Sequence, residues 1–241
     1  MEQSFILYNC INQRLEINEM KTMKKSIYIL GVGHNTPVMA ELAESCGYEV
    51  VGFYHYNGER TGQFDHGYRI LGSFDDLFAK GDLSGMSFAL SQGNNRIRAE
   101  VFSRVKSLGG NVPALIHLTA TVSRFSQVSE GTAVKIGAVI TTDCQIGENT
   151  VISDGAIIEH NTKIGKNCYI AFGAKIGAYT EIQDNVFIGI GAVLISGKVG
   201  TVGQGAVIGA GAVVTKVVEA GVTVAGVPAK PINKIGGGVD I

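Results

Sequence analysis

The sequence has no tryptophan, and charged residues make up only 17% of its 241 residues. Its formal net charge is −1, so it lacks the basic surface that nucleic acids require, and we expect no nucleic-acid partner. No run of about 18 apolar residues occurs, which predicts that the chain has no membrane span. The length suffices for one or two domains, each with its own core.

Cysteine is scarce as well. The four cysteines are Cys10, Cys46, Cys144 and Cys168, and they form no CxxC pair and have no histidine at ligand spacing. This pattern predicts reduced thiols in a cytoplasmic protein and no structural metal.

We interpret residues 1–23 as an N-terminal extension. Acidic residues flank its short apolar stretch Phe5–Tyr8, and no small-residue cleavage site follows. The segment therefore does not resemble a secretory leader. Because Met20 and Met23 precede the first predicted strand, a misplaced start is the alternative.

Residues 24–110 alternate between short apolar runs and helical patterns. The predicted strands are Ser26–Leu30, Tyr48–Tyr54 and Met86–Ser91, and the predicted helices run from Pro37 to Cys46, Ser73 to Phe78 and Asn95 to Leu108. Such alternation is typical of a parallel sheet with helices on its faces. We therefore predict an α/β, Rossmann-like substrate-binding domain with a ligand crevice at the carboxyl ends of its strands.

After Asn111 the period of the sequence changes to six. Every sixth residue is aliphatic at Ile116, Val122, Val128, Val134, Ile140, Ile146, Ile152, Ile158, Ile164, Ile170, Ile176, Ile182, Ile188 and Leu194. Neither a helix nor an ordinary strand produces this spacing. A chain that turns a corner every six residues does, with three sides per coil and the aliphatic side chains stacked inside a triangular prism.

The pattern resumes at Val202, Ile208 and Val214, eight residues after Leu194 instead of six. Two extra residues within Ile195–Thr201 are therefore expected to bulge from one corner. Residues 111–235 are predicted to form an all-β parallel β-helix with a C-terminal tail.

The run 208–214, Ile-Gly-Ala-Gly-Ala-Val-Val, and the run 226–230, Gly-Val-Pro-Ala-Lys, resemble the left-handed β-helix acetyltransferases. From Lys24 onward the chain is similar to the NeuD/PglD-type sugar O- or N-acetyltransferases. This resemblance implies acetyl-CoA as co-substrate and a sugar or nucleotide-sugar as acceptor, in surface polysaccharide biosynthesis. It also implies a homotrimer with each active site between two subunits.

Acyl transfer from a thioester needs a general base and a donor for the oxyanion. His160 follows the stacked Ile158 by two residues, so its side chain should lie outside the prism. The run 157–161, Ile-Ile-Glu-His-Asn, resembles the family motif that carries the catalytic histidine. Either Asn161 or Glu159 would fix the tautomer of His160, and the alternative is a surface histidine at a corner.

The resemblance also assigns a co-substrate site. Ala178 matches a position whose backbone N–H faces the thioester carbonyl, and Tyr169 stands where many members carry a second histidine near acetyl-CoA. The other matching positions along the CoA groove are Ile190, Gly191, Ala210 and Lys230. A packed aromatic and a solvated lysine are the alternatives for Tyr169 and Lys230.

In the first domain Gly31, Gly33 and His34 resemble the family's glycine-rich loop that cradles a nucleotide-sugar. Thr36 replaces the third glycine of a dinucleotide fingerprint, so NAD binding is not expected, and a plain tight turn is the alternative. His55 and Tyr56 stand where family members often have two aspartates. Their aromatic faces offer stacking to a base or sugar.

Two other functions remain compatible with these residues. The chain could use another acyl donor or a small non-sugar acceptor within the same fold. Alternatively, it could be a non-catalytic binding or scaffold member, because the second histidine and the acidic pair are missing.

Overall fold

The computed structural model of the protein describes residues 25–232. The predicted N-terminal extension, residues 1–23, and the predicted end of the tail near residue 235 lie outside these residues. Within this part of the chain, no helix has the length and apolar content needed to cross a bilayer.

The first unit is an α/β fold. Its elements are β1 (Lys25–Leu30), α1 (Asn35–Ser45), β2 (Tyr48–His55), a 3-10 turn (Gly58–Arg60), β3 (Phe64–Asp65), β4 (Tyr68–Ser73), α2 (Phe74–Phe78), β5 (Phe88–Leu90) and α3 (Asn95–Ser107). The sheet order is β3-β4-β2-β1-β5. Strands β4, β2, β1 and β5 are parallel, and β3 pairs antiparallel with β4. The prediction of a parallel sheet with helices is thus confirmed.

Three details of this unit differ from the prediction. Helix α1 begins at Asn35, two residues before Pro37, because the first helical turn tolerates a residue without an N–H. Strand β5 is only three residues long. The hairpin of β3 and β4 was not predicted, and β4 ends at Ser73, whose hydroxyl and backbone form a capping box with Asp76.

The second unit is a parallel β-helix of two- and three-residue strands. These are β6 (Leu115–Ile116), β7 (Thr121–Val122), β8 (Gln127–Val128), β9 (Ala133–Val134), β10 (Val139–Ile140), β11 (Gln145–Ile146), β12 (Val151–Ile152), β13 (Ile157–Ile158), β14 (Lys163–Ile164), β15 (Tyr169–Ile170), β16 (Lys175–Ile176), β17 (Glu181–Ile182), β18 (Phe187–Ile188), β19 (Val193–Leu194), β20 (Thr201–Val202), β21 (Val207–Ile208), β22 (Val213–Val214), β23 (Thr223–Ala225) and β24 (Lys230–Pro231). They form three sheets of six, five and eight strands. Partners lie one coil apart, as in Ile140 opposite Ile158.

The aliphatic residues stack inside the prism as the six-residue period predicts. From Val134 onward these side chains are essentially buried, for example Ile158 at 0% exposed. Ile116 remains 38% exposed, because it lies in the first coil, where no preceding coil covers it. Thr201 pairs with Glu181, so the two extra residues form a local bulge and the register recovers after them.

The corners of the prism share one backbone conformation. A residue with φ near +60° recurs every six residues along most of the β-helix, and it is usually glycine, asparagine or aspartate. These residue types tolerate the left-handed region at low cost. Tyr179, with φ of 59°, is the exception.

Arg98 of α3 connects the two units. Its side chain is 1% exposed, and its guanidinium donates to the backbone carbonyls of Asn149 at 3.2 Å and Cys168 at 3.0 Å. Burial lowers the pKa of Arg98 to about 10. Because its bonds reach two different coils, the α/β unit is fixed against the eight-stranded sheet of the β-helix.

Candidate active site

His160 lies at the corner that follows β13, with its half-buried ring outside the prism. Its Nδ1 is 2.9 Å from the side-chain oxygen Oδ1 of Asn161. An amide oxygen only accepts, so this contact assigns the Nδ1–H tautomer. Nε2 then carries the free lone pair that a general base needs.

The geometry distinguishes the two predicted partners of the imidazole. Asn161 has φ of 56°, a conformation that asparagine tolerates, and its side chain reaches back to the preceding residue. No hydrogen bond joins the Glu159 carboxylate to His160 in the part of the chain that is described. Asn161 is therefore the residue placed to fix the tautomer.

Tyr179 is a neighbour of His160 that the sequence reasoning missed. Its ring meets the imidazole edge-on, with centroids 5.2 Å apart and an interplanar angle of 88°. Tyr179 N–H also donates to the His160 carbonyl at 3.2 Å, and the residue is 66% exposed. The sequence does carry a signal for Tyr179. At the same corner position the preceding coil has Asn161 and the following coil has Gly197, so a tyrosine there is unusual.

Ala178 lies one coil beyond His160, as predicted, and is 6% exposed. Its backbone N–H donates to the hydroxyl Oγ of Ser196 at 3.0 Å, a contact that the sequence did not indicate. Ser196 is exposed and lies one further coil along the same corner. We call the corner residues His160, Ala178 and Ser196 the histidine edge.

The predicted groove residues Ile190, Gly191 and Ala210 lie on a different corner of the same prism. They are exposed, and this corner carries apolar side chains from most coils, interrupted by Asp154 between Ile136 and Phe172. We call it the apolar edge, and it consists of Leu118, Ile136, Phe172, Ile190 and Ala210. Within one chain, the sheet containing β13 and β16 separates the histidine edge from the apolar edge.

Tyr169 lies on neither edge. It is on β15, where its ring stacks on Phe187 at 5.6 Å and the Arg98 guanidinium lies 5.8 Å from its centroid. Burial raises its pKa, and the nearby Ser153 hydroxyl acts in the opposite direction. Within one chain the structure therefore places Tyr169 at the boundary of the two units and away from His160. Lys230, on β24, is exposed.

The glycine loop follows β1 as predicted. Gly31 has φ of 115°, and a Cβ there would collide with the Ser91 hydroxyl, so glycine is required. Gly33 N–H donates to Thr36 Oγ1 at 2.8 Å, which ties the loop into a tight turn. His34 is exposed at the N-terminus of α1, with no side-chain cap bond.

His55 ends β2, and Tyr56 follows it at the same edge of the sheet. His55 is 5% exposed, and its Nδ1 is 2.8 Å from Asn57 Oδ1. Tyr56 is 66% exposed, and the two ring centroids are 4.2 Å apart. The structure thus offers one fixed imidazole and one exposed aromatic face beside the glycine loop.

Residues 25–232 contain no group of three or more His, Cys, Asp or Glu side chains that could hold a metal ion.

Two family models match the chain. The model described as PglD N-terminal domain matches residues 26–105, and the model described as Bacterial transferase hexapeptide (six repeats) matches residues 143–178. No curated protein matches the chain.

Several solved structures are similar over most of the chain. The acetyltransferase domain of PglB from Neisseria gonorrhoeae, in complex with acetyl coenzyme A, is 30% identical with a TM-score of 0.79, covering 87% of this chain and 100% of that chain. A variant of perosamine N-acetyltransferase from Caulobacter crescentus, in complex with CoA and GDP-perosamine, is 27% identical with a TM-score of 0.79, covering 87% and 97%. WeeI from Acinetobacter baumannii is 25% identical with a TM-score of 0.76, covering 86% and 99%.

The fold and these likenesses define the class first: the protein is an acyltransferase with a left-handed parallel β-helix. Two findings then narrow the class: the α/β unit matches the PglD N-terminal domain, and the chain is 30% identical in sequence to the PglB acetyltransferase domain over that domain's full length. The chain belongs to the NeuD/PglD-type family of sugar acetyltransferases, which confirms the resemblance seen in the sequence.

Proposed function

We propose that the protein transfers the acetyl group of acetyl-CoA to an amino or hydroxyl group of a sugar or nucleotide-sugar, with His160 as the general base. The observation that carries the proposal is the His160–Asn161 contact of 2.9 Å on the outside of the prism. It fixes Nδ1 as the donor and leaves Nε2 to accept a proton. The co-substrate is acetyl-CoA, since the PglB domain was solved with it and the perosamine enzyme with CoA.

The reaction follows from these groups. His160 Nε2 takes a proton from the acceptor amine or hydroxyl as that atom attacks the thioester carbon. The carbonyl electron pair moves to oxygen, which forms the oxyanion that nearby N–H or O–H donors stabilise. The carbonyl then reforms, the bond to sulfur breaks, and the CoA thiolate takes the proton from the imidazolium.

The acceptor is proposed to occupy the crevice at the carboxyl ends of β1 and β2. His34 stands at the start of α1 after the glycine loop, and at the end of the neighbouring strand the fixed ring of His55 lies against the exposed ring of Tyr56. Aromatic faces of this kind stack on bases and sugars. The Caulobacter relative, bound to GDP-perosamine, makes GDP-perosamine the first acceptor to test.

We further propose a homotrimer with each site between two protomers. The support is that Ile190, Gly191 and Ala210 lie on the apolar edge, whereas His160 and Ala178 lie on the histidine edge of the same chain. Closed symmetry brings the apolar edge of one protomer against the histidine edge of the next.

Replacing His160 by Ala tests the mechanism. The rate of free CoA release from acetyl-CoA, measured with GDP-perosamine and a panel of amino-sugars, should fall about 10²- to 10⁴-fold. Affinity for CoA should stay near that of the unmodified protein, because the imidazole acts on the acceptor.

His66 supplies the control. It is exposed on the β3–β4 hairpin of the α/β unit, where its Nδ1 contacts Asp65. His66→Ala should retain full turnover. Unchanged turnover in His160→Ala would remove the proposed base, and an absence of CoA release with every sugar would remove the proposed acceptor class.

A further inference from the structure

Ser196 occupies the hydrogen bond that an oxyanion would need from Ala178. The Ala178 N–H donates to Ser196 Oγ at 3.0 Å, a normal length for this kind of bond. An amide has one hydrogen, so direct binding of a thioester oxygen would require the loss of this bond. The donor predicted from the sequence is therefore already engaged inside the chain.

The Ser196 hydroxyl keeps a donor of its own. A hydroxyl accepts through its lone pairs and donates through its single hydrogen. Because Oγ accepts from Ala178, its hydrogen remains available, and Ser196 makes no other side-chain hydrogen bond within residues 25–232. A hydroxyl that accepts from an amide also becomes a stronger donor, since hydrogen bonds in a chain polarise one another.

The absence of a side chain at Gly177 makes room for this hydroxyl. A Cβ on Gly177 would lie 2.6 Å from Ser196 Oγ and 2.6 Å from the Leu194 carbonyl oxygen. The missing side chain thus leaves a notch at the corner, and the Ser196 hydroxyl fills it. Ser196 is exposed beyond that notch, on the same corner as His160.

From this geometry we propose that Ser196 is a catalytic residue, whose hydroxyl, aligned by the Ala178 N–H, donates the hydrogen bond that stabilises the oxyanion of the acetyl thioester. This proposal rests on the proposed function. No proton moves to the oxyanion: the carbonyl electron pair shifts to oxygen on attack and returns when the CoA thiolate leaves. The proton from the acceptor travels through His160 alone.

Ser196→Ala is the direct test in turnover. It should lower kcat for acetyl transfer about 10²-fold, the usual effect of losing one oxyanion donor, while KM for the acceptor changes little. Ser196→Thr keeps the hydroxyl and should restore most of the rate. If the Ala178 amide bound the oxyanion directly, Ser196→Ala would free that amide, and kcat would be unchanged or higher.

Ser126→Ala is the matched control. Ser126 lies on the same corner two coils before His160. Its Oγ also accepts from an N–H 18 residues away, that of Cys144, at 2.8 Å, but its hydrogen is engaged by the Thr141 carbonyl. Its removal should leave kcat unchanged. An equal fall of kcat in both serine variants would assign Ser196 a structural role and overturn the proposal.

A spectroscopic arm needs no acceptor. Acetyl-CoA labelled with ¹³C at the carbonyl should show a lowered C=O stretching frequency when bound to the unmodified protein, and Ser196→Ala should return it toward the free value. A band at the same frequency in both proteins overturns the contact. A band that depends on Ser196 without any acetyl transfer would instead overturn the proposed function and leave the contact standing.

Discussion

Tyr179 has a backbone conformation that tyrosine rarely adopts. Its φ of 59° lies in the left-handed region, where Asn149, Asn161, Asn167 and Asn185 occupy equivalent corners. A residue other than glycine or asparagine costs about 1 to 3 kcal/mol in such a region. The side chain of this strained residue lies edge-on to His160, so the backbone strain occurs next to the proposed base.

Tyr179→Asn should therefore separate stability from activity. The free energy of unfolding should rise by about 1 kcal/mol, because asparagine tolerates the conformation. Turnover should fall roughly two- to tenfold, since an aromatic contact of this kind contributes about 0.5 to 1.5 kcal/mol to holding a ring. Urea unfolding and CoA-release kinetics on the same preparation measure both quantities.

Tyr179→Gly relieves the same strain without adding an amide, so it should reproduce both changes. A variant that is less stable than the unmodified protein, yet turns over at full rate, would show that Tyr179 supports the corner and does not orient the imidazole.

At the scale of elements, the turn after β9 contains a buried cation without a counter-ion. Lys135 is 6% exposed, and no carboxylate in residues 25–232 lies within 4.0 Å of its ammonium. Burial lowers its pKa; Asp154 acts to raise the pKa, and Arg98 acts to lower it. The folded state therefore holds the charged form of Lys135 less readily than the unfolded chain does.

The sign of the pH dependence follows. Below its folded pKa the ammonium penalises the fold in full, and the penalty disappears as the pH rises toward 10.5, the ordinary lysine value. Lys135→Met should thus be more stable at pH 7, by about 1 to 3 kcal/mol. The difference from the unmodified protein should narrow as the pH rises.

Urea unfolding at several pH values between 7 and 10 measures this difference. Lys175→Met, at an exposed position of β16, should show no comparable gain. A Lys135→Met variant that is less stable at neutral pH would mean that the ammonium has a stabilising partner in the folded protein.

The β-helix was predictable because its signal is local and repeated. Each coil makes the same contact, so the aliphatic residue at Ile140, Ile158 and Ile176 recurs at fixed spacing. Strand β4 was not predictable in this way. Its sequence mixes an arginine and a glycine with apolar residues, and its stability comes from pairing with the distant β2, as between Phe53 and Ile70.

The same distinction applies to the site. His160 was proposed from a run of five neighbouring residues, and its contact with Asn161 matches one of the two alternatives for its partner. Ser196 was not predicted, because its bond to Ala178 joins residues one coil apart, and Ser196 lies where the six-residue pattern breaks after Leu194. Its position also depends on the absence of a side chain at Gly177. This dependence involves two residues far apart in sequence, so the residues around Ser196 do not indicate it.

At the scale of the whole molecule, the apolar edge is the surface that assembly should cover. Leu118 is 75%, Ile136 50%, Phe172 52% and Ile190 45% exposed. Asp154 is the one polar side chain between Ile136 and Phe172 in this row. Several large apolar side chains exposed along one edge are unusual on a free surface and are typical of an interaction site. In the proposed trimer this edge meets the histidine edge of the neighbouring protomer.

Phe172→Asp should break the assembly. A carboxylate at position 172 would lie one coil from that of Asp154 and would replace the largest apolar side chain of the edge. Burying this second like charge on association is strongly unfavourable. In size-exclusion chromatography with light scattering, the unmodified protein should have about three times the 25.4 kDa of the single chain, and the variant should have the mass of one chain. Turnover should be lost with it, while the circular dichroism spectrum is retained, because the core of each prism lies within one chain.

Phe64→Asp provides the comparison, since Phe64 is 67% exposed but lies on the β3–β4 hairpin of the α/β unit. It should remain trimeric and active. A Phe172→Asp protein that stays assembled, or that becomes a single chain with full turnover, would contradict the shared site, because each prism would then carry both the base and the CoA groove without its neighbour.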